Sequence, residues 1–366
     1  NYAVASAHGW DDPAVSHLGY GSAGAIYYFA KTGTSWATVT EHILTSSSRQ
    51  NGAKIGTNAD NGISSYKYNA TSVYEDRVVA GDPGWYDGSI YTGQIIIWEK
   101  SGAIWVETNV AAASAAADYY GQAVSTYGAH IAVGAYGDDG KNTNAGKVHM
   151  LTSGSSGWAV ASTLEPEYGG GANDEYSAHF GASVNLSGDL LAVGAPGKDK
   201  ANVYRLVGST WTLEDIVTHP SSSTGVKFGS QVAINGSVLV VGCPRDSTIA
   251  SWAGAAFIYT SSSIGGWEFA QGLTHTAAEE TQAIEAKFGS SVAVDETNII
   301  IGSPNFDGAA NVTGHPGMDG VAYLYVSGAL DWTRSRTYEP DDQGGAFDPF
   351  LGTGVSISGG TLMMGS

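Results

Sequence analysis

Cysteine, basic charge and long apolar runs are what this chain of 366 residues has least of. Its single cysteine, Cys243, excludes an internal disulfide and reads as a small buried filler. No signal-peptide pattern and no apolar stretch of membrane-spanning length occurs, so a soluble chain without membrane insertion is expected, either mature or a fragment. Lys and Arg number 16 against 35 Asp and Glu, a net charge of −19 with no basic stripe, which argues against a nucleic-acid partner because phosphates would be repelled. Only 14% of residues are charged, and no long helical pattern, linker, Pro-rich tract or charge block divides the chain.

Catalytic constellations are scarce as well. The histidines do not fall at metal-ligand spacing, and the closest clusters, His8 with Asp11, Asp12 and His17, and His315 with Asp319, read as solvated loop residues. Gly169-Gly170-Gly171 and Gly19-Tyr20-Gly21 lack the strand-loop-helix setting of a phosphate cradle, and no nucleophile elbow precedes a helix. No catalytic residue and no metal ligand is assigned, and a non-enzyme is expected.

What the chain does have is glycine (51), tyrosine (20) and tryptophan (10), the composition of many short strands joined by tight turns. It also has a repeat. Phe180-Gly181 precedes Gly194-Ala195-Pro196, Phe228-Gly229 precedes Gly242-Cys243-Pro244, and Phe288-Gly289 precedes Gly302-Ser303-Pro304, the aromatic residue lying 14 positions before the second glycine each time. Tyr120-Gly121 with Gly134 and Leu351-Gly352 with Gly365 keep that distance. The second glycines fall at 81, 134, 194, 242, 302 and 365, with a degenerate copy at Ala5, a period of about 50 to 75 residues in the range of propellers and arrays.

Each repeat reads as four strands. Ser183-Val184-Asn185-Leu186 turns through Ser187-Gly188-Asp189 into Leu190-Leu191-Ala192-Val193-Gly194, a hairpin with a short Gly-containing turn. A third strand rich in aromatic and β-branched residues follows a loop of variable length, as in Gln94-Ile95-Ile96-Ile97-Trp98 or Val321-Ala322-Tyr323-Leu324-Tyr325. A fourth strand carries one tryptophan, at Trp36, Trp105, Trp158, Trp211, Trp267 and Trp332, whose recurrence with the repeat marks it as packing. Four strands per repeat is one propeller blade, and the expected fold is an all-β propeller of four-stranded antiparallel blades, residues 1–366 forming a single domain. Second strands number seven but each other kind only six, because the chain starts and stops at the same point of the repeat. Either the first and seventh blades are incomplete and the native chain runs on at both ends, or residues 350–358 close a six-bladed ring. Seven blades is the reading taken, with six as the alternative.

These repeats resemble the FG-GAP family, the propeller module of integrin α-subunits that also occurs in fungal lectins and secreted microbial proteins. In the copy ending at Gly81, Tyr66-Lys67 stands where Phe-Gly is expected. The resemblance implies an extracellular, secreted or cell-surface propeller used for binding rather than catalysis. It also raises calcium, held in that family by a carboxylate-rich loop between the first and second strands. Here Leu186-Ser187-Gly188-Asp189, Ile234-Asn235-Gly236-Ser237 and Asp295-Glu296-Thr297-Asn298 are too short to wrap an ion, and Asn58-Ala59-Asp60-Asn61-Gly62 is a weak oxygen cluster, so no cofactor is expected and the calcium sites are not carried over.

Length variation collects in the connections after the second strand and between repeats, which in a propeller emerge on one face, the candidate binding surface. Acidic residues recur just after the second strand: Asp11, Asp12, Asp82, Asp87, Asp138, Asp139, Asp199, Asp246, Asp307 and Asp319. Asp in such loops holds turns through side-chain hydrogen bonds, and the same carboxylates ringing one face would serve cations or sugar hydroxyls. Loop aromatics present in one repeat only, Trp10, Tyr20, Trp85, Tyr86, Tyr136, Trp252 and Phe306, are the sugar or protein platforms. Acceptor triplets for N-glycosylation start at Asn69, Asn185, Asn235 and Asn311. The leading expectation is an adhesion or lectin-like module recognising glycan or extracellular protein. The alternatives are a building block of a larger surface assembly or fibre, with other copies or domains as partners, and a propeller hydrolase or lyase.

Overall fold

The structure, a computed structural model, describes residues 2–7, 24–32, 35–47, 55–56, 70–86, 88–90, 92–111, 118–155, 157–169, 174–262, 265–279, 283–307, 320–329, 331–339 and 350–365. Two compact units divide the chain, Asn1–Leu186 and Ser187–Ser366. The first carries β1 (Tyr2–Ala7), β2 (Ala25–Thr32), β3 (Ser35–Leu44), β4 (Thr71–Tyr74), β5 (Arg77–Asp82), β6 (Gln94–Ser101), β7 (Ile104–Ala111), β8 (Ala123–Tyr127), β9 (His130–Ala135), β10 (Lys147–Gly154) and β11 (Gly157–Leu164), with β12 (Ser183–Ser187) at the boundary. The second carries β13 (Leu190–Ala195), β14 (Lys200–Val207), β15 (Thr210–Thr218), β16 (Gln231–Asn235), β17 (Val238–Cys243), β18 (Ala255–Ser261), β19 (Trp267–Leu273), β20 (Ser291–Val294), β21 (Asn298–Ser303), β22 (Val321–Ser327), β23 (Trp332–Tyr338), β24 (Gly354–Ser358) and β25 (Thr361–Gly365).

Strands pair with their sequence neighbours. Five sheets have four strands, β4 to β7, β8 to β11, β12 to β15, β16 to β19 and β20 to β23, while β1-β2-β3 has three and β24-β25 two. Among the described residues, six sheets of three or four strands make six blades, which corrects the seven-bladed expectation in favour of its alternative. The seventh second strand, β25, belongs to a hairpin without third and fourth strands. The second strands β5, β9, β13, β17 and β21 are apolar at their centres and buried there on both faces, as in β21 (Asn-Ile-Ile-Ile-Gly-Ser). The fourth strands are mostly exposed, as in β23 (Trp-Thr-Arg-Ser-Arg-Thr-Tyr). Burial thus decays across each blade, and the tryptophan is the residue that keeps the outer strand attached: Trp158, Trp211 and Trp267 are buried. Trp158 and Trp267 each donate their indole N–H at 3.1 Å to a glutamate of another sheet, Glu99 and Glu214 respectively.

Successive sheets meet along seams lined by glycine. The Phe-Gly amide donates to the carbonyl of the second glycine in its own blade, Gly121 to Gly134 at 3.1 Å and Gly289 to Gly302 at 3.0 Å, which fixes the spacing seen in the sequence. The preceding aromatic, Tyr120, Phe180, Phe228 or Phe288, is fully buried. The backbones of Tyr120, Phe180 and Phe288 bridge in parallel to the glycine that opens the third strand of the preceding blade, as in Gly146 with Phe180 and Gly254 with Phe288. The second glycine packs on the next blade so closely that a Cβ on Gly134 would lie 1.9 Å from the Gly181 carbonyl oxygen, and one on Gly302 1.9 Å from that of Gly352. In the second blade this place belongs to Ile55-Gly56: Ile55 is buried, Gly56 has φ +80° and its amide donates to Gly81 at 2.8 Å. Tyr66-Lys67, the pair expected there, lies outside the described residues.

Candidate functional site

In four blades the corner after the second strand is one backbone motif with interchangeable side chains. Four residues past the second glycine, an amide donates back to the end of the second strand and the same residue's carbonyl accepts from the glycine opening the third strand. Asp138 bonds Ala135 and Gly146, Asp246 bonds Cys243 and Gly254, and Phe306 bonds Ser303 and Gly320. Trp85 stands in the same place, bonding Asp82 and Gly93. Because the backbone is satisfied independently, the side chain at this point is free to differ from blade to blade.

Several predicted residues at or near the ends of the second strands are turned inward. Asp138 accepts from the Gly140 amide at 2.8 Å and pairs with the Lys147 ammonium at 3.0 Å. Asp246 is 2% exposed and takes the Thr248 amide at 2.8 Å and the His219 imidazole at 2.9 Å. Asp82 is buried and accepts from Gln94. Asp199 is buried and holds the Gly225 and Phe228 amides. Phe306 is buried with its ring stacked on His275 at 4.7 Å, and Tyr136 is buried with its ring stacked on Tyr119 at 5.0 Å and edge-on to His179. These carboxylates hold turns, the first of the two roles the sequence leaves open for them.

Other predicted residues face solvent. Asp139 is exposed and caps the Asn144 amide at 2.7 Å, Asp307 and Tyr86 are exposed, and Trp85 is half-buried. Asn185 lies on β12 and Asn235 at the end of β16, both partly buried. Trp10, Asp11, Asp12, Tyr20, Asp87, Asp319, Asn69 and Asn311 lie outside the described residues.

Trp252 is the predicted aromatic with the most open ring, 45% exposed in the second unit. Its backbone is left-handed, φ +50°, and is pinned by the Ser247 hydroxyl on its amide and by the Lys287 amide on its carbonyl. The Arg245 guanidinium lies over the indole at 5.2 Å. Arg245 donates its own amide to Val226, beside Lys227, so the corner of one blade is laced to the segments leading into two Phe-Gly pairs. Lys227 and Lys287 each precede a Phe-Gly pair with φ near +60°, values of 64° and 58°. Burial lowers the pKa of both ammonium groups and the Arg245 charge lowers them further, against an upward pull from Asp199 on Lys227 and from Glu285 on Lys287. Among the described residues neither lysine lies within ion-pair distance of a carboxylate. Sequence reading found Trp252 but missed Lys227, Arg245 and Lys287, whose signal is their recurrence just before Phe-Gly and just after Cys243-Pro244.

A second arrangement went unread. His219, Cys243 and Asp246 are all buried, and one ligand-type atom of each lies within 4.8 Å of the others. The available sign was a histidine directly past the fourth strand in two consecutive repeats, Val217-Thr218-His219 and Leu273-Thr274-His275.

Fold and seams define a β-propeller of four-stranded antiparallel blades. Residues 105–151 and 211–259 match the family model described as FG-GAP repeat, each match running from a fourth-strand tryptophan to the next third strand. No curated protein matches the chain in sequence. Among solved structures it is similar to the β-propeller domain of Cps50 (Swd1) from Myceliophteria thermophila, at 10% identity and TM-score 0.54 over 91% of this chain and 83% of that one. It is also similar to a putative 6-phosphogluconolactonase from Bacteroides uniformis, at 10% identity and TM-score 0.51 over 86% and 78%. At such identity the likeness is one of fold.

Proposed function

We propose that this chain is a non-enzymatic, extracellular binding module of lectin or adhesion type that recognises an anionic glycan at the cluster of Trp252, Arg245, Lys227 and Lys287. The observation that carries the reading is an exposed indole under the Arg245 guanidinium, with the partly buried Lys227 and Lys287 ammonium groups within reach of that charge, in a chain of net charge −19. Asp199 and Glu285 offset part of the repulsion among these like charges, and a carboxylate or sulfate placed among the cations relieves more of it. The indole face supplies the apolar platform that a sugar ring covers. Support for an extracellular setting comes from the FG-GAP repeats and the glycosylation triplets.

The test is binding to acidic oligosaccharides by calorimetry. Trp252→Ala and the Lys227→Ala/Lys287→Ala pair are expected to weaken binding about tenfold or more, about 1.4 kcal/mol, with the melting temperature almost unchanged. Undiminished affinity in both variants, or equal loss of folding, overturns the assignment.

A further inference from the structure

In the corner of the β16 to β19 blade the buried carboxylate of Asp246 pairs, among the described residues, with no side chain of Lys or Arg. Asp138, its counterpart in the β8 to β11 blade, is neutralised by Lys147, the first residue of β10, at 3.0 Å. In the β16 to β19 blade the first residue of the third strand is Ala255, and Asp246 is met instead by His219 and Cys243. His219 Nε2 lies 2.9 Å from Asp246 Oδ2, and the Cys243 thiol donates to the Val226 carbonyl at 3.3 Å.

We infer that His219, Cys243 and Asp246 form a binding site for one divalent cation of the zinc class, held by imidazole nitrogen, thiolate sulfur and carboxylate oxygen. Those three donor types are the ones such an ion selects, at about 2.0 to 2.3 Å, which places the donors roughly 3.5 Å apart. The cluster, with its atoms inside 4.8 Å, reaches that geometry by small side-chain movements. The supports behind the donors are already in place. The imidazole is packed edge-on to Phe257 at 4.6 Å, and its Nδ1 accepts from the Ser221 amide at 3.3 Å and lies 3.0 Å from the Ser221 hydroxyl. Asp246 spends Oδ1 on the Thr248 amide, which leaves Oδ2 toward the cluster.

The following blade serves as an internal control. There His275 occupies the corresponding place with Nε2 3.1 Å from the Ser303 hydroxyl and its ring stacked on Phe306, so the frame persists with a hydroxyl and a phenyl where the first has a thiol and a carboxylate. The histidine belongs to the scaffold in both blades, and only one blade completes the donor set. Without the ion, burial and the Asp246 and Asp199 carboxylates push the Cys243 thiol well above its ordinary range. On binding, the thiol proton leaves to solvent. The imidazole proton moves from Nε2 to Nδ1, which gives up the bond from the Ser221 amide and donates to the Ser221 oxygen, whose own hydroxyl turns to Ser223, 2.9 Å away.

The experiment uses the purified, chelator-dialysed full chain and cobalt as the probe. Because Cys243 is the one cysteine, any cobalt-to-sulfur charge-transfer band belongs to this site. The expected result is such a band at one equivalent, displaced by zinc, with a rise in melting temperature on metal addition. Cys243→Ala restores the residue that Ala135 and Ala195 show at the same corner, so it is expected to fold, to lose the band and to lose zinc affinity by more than the roughly 100-fold that an outer partner costs. Asp246→Asn is expected to weaken zinc while keeping the band at higher cobalt. No band in the wild-type chain at saturating cobalt, or equal zinc affinity in wild type and Cys243→Ala, overturns the inference. The glycan assay on Cys243→Ala separates this site from the one at Trp252.

Discussion

Gly134 and Gly302 show at the scale of single residues why the repeat is written in glycine. No side chain fits where a Cβ would sit 1.9 Å from a carbonyl of the next blade, so the backbone itself must move. Gly302→Ala is expected to cost about 3 kcal/mol in urea unfolding. Gly188→Ala, in a hairpin turn with φ +63° and open space around it, should cost only the left-handed penalty of about 1 kcal/mol. Similar losses at both sites would deny the seam its role.

His275 supplies a pH signature. Burial drops its pKa to about 4 from the usual 6.5, with Glu279 pulling up and Arg334 pushing down. A folded pKa below the unfolded one means that protons favour the unfolded chain. The contribution is therefore whole above pH 6.5, shrinks as pH falls, and is gone near pH 4. At pH 5 the loss is about 2 kcal/mol. Glu279, despite the upward push of its own burial, is held below its usual range by hydrogen bonds from Thr276 and Arg334, so the loss in this window belongs to histidine. His149, also lowered to about 4 by burial, acts in the same direction. Urea unfolding at pH 7 and pH 5 should show a smaller difference in His275→Gln than in the wild type. An unchanged difference contradicts the assignment.

The fixed distance between Phe-Gly and the second glycine was legible because it is a hydrogen bond across one hairpin, a contact local enough to leave a constant spacing. Ile55-Gly56 was not legible for the complementary reason. It makes the same bond to Gly81 across 25 residues, and a search at fixed spacing lands on Tyr66-Lys67. The buried set of His219, Cys243 and Asp246 joins two repeats and has no spacing of its own to betray it.

At the level of elements, the pairing of third and fourth strands slips at one register in four blades: between Met150 and Leu151, Val203 and Tyr204, Ile258 and Tyr259, and Leu324 and Tyr325. The extra residue lies on the fourth strand, at Ala161, Glu214, Ala270 or Ser335, and it bends and twists the outer strand. Nothing in the sequence marks it, because three of the four are small exposed residues that any loop or strand edge tolerates. The four-strand reading, by contrast, followed from aromatic third strands and lone tryptophans, residues whose burial is obligatory. Deleting Ala270 leaves Phe269 opposite Tyr259 and Gln271 opposite Ile258 in one regular ladder, which removes the bend and twist that fit β19 to its blade. Its melting temperature should fall sharply, while Ala270→Ser melts like the wild type. A deletion variant as stable as wild type would show that the bulge has no structural part.

For the whole molecule, charge and local chemistry pull in opposite directions. A chain of −19 repels anions at a distance, yet one loop cluster gathers Lys227, Arg245 and Lys287 around Trp252. Association with an acidic ligand should therefore depend on short-range contact, and its affinity should fall as salt rises because the cluster is only partly buried. A salt-independent affinity would point to the indole alone. Composition showed the class of fold, but a net charge cannot show where three cations converge, since that depends on which loops the blades bring together.

The measurement that bears most directly on the binding assignment is the wild-type chain on a broad array of neutral and acidic glycans, run in calcium-free and calcium-containing buffer. The result predicted here is binding to a set of carboxylated or sulfated glycans in both buffers, with neutral glycans left unbound. A blank array, or binding confined to neutral glycans, would contradict it.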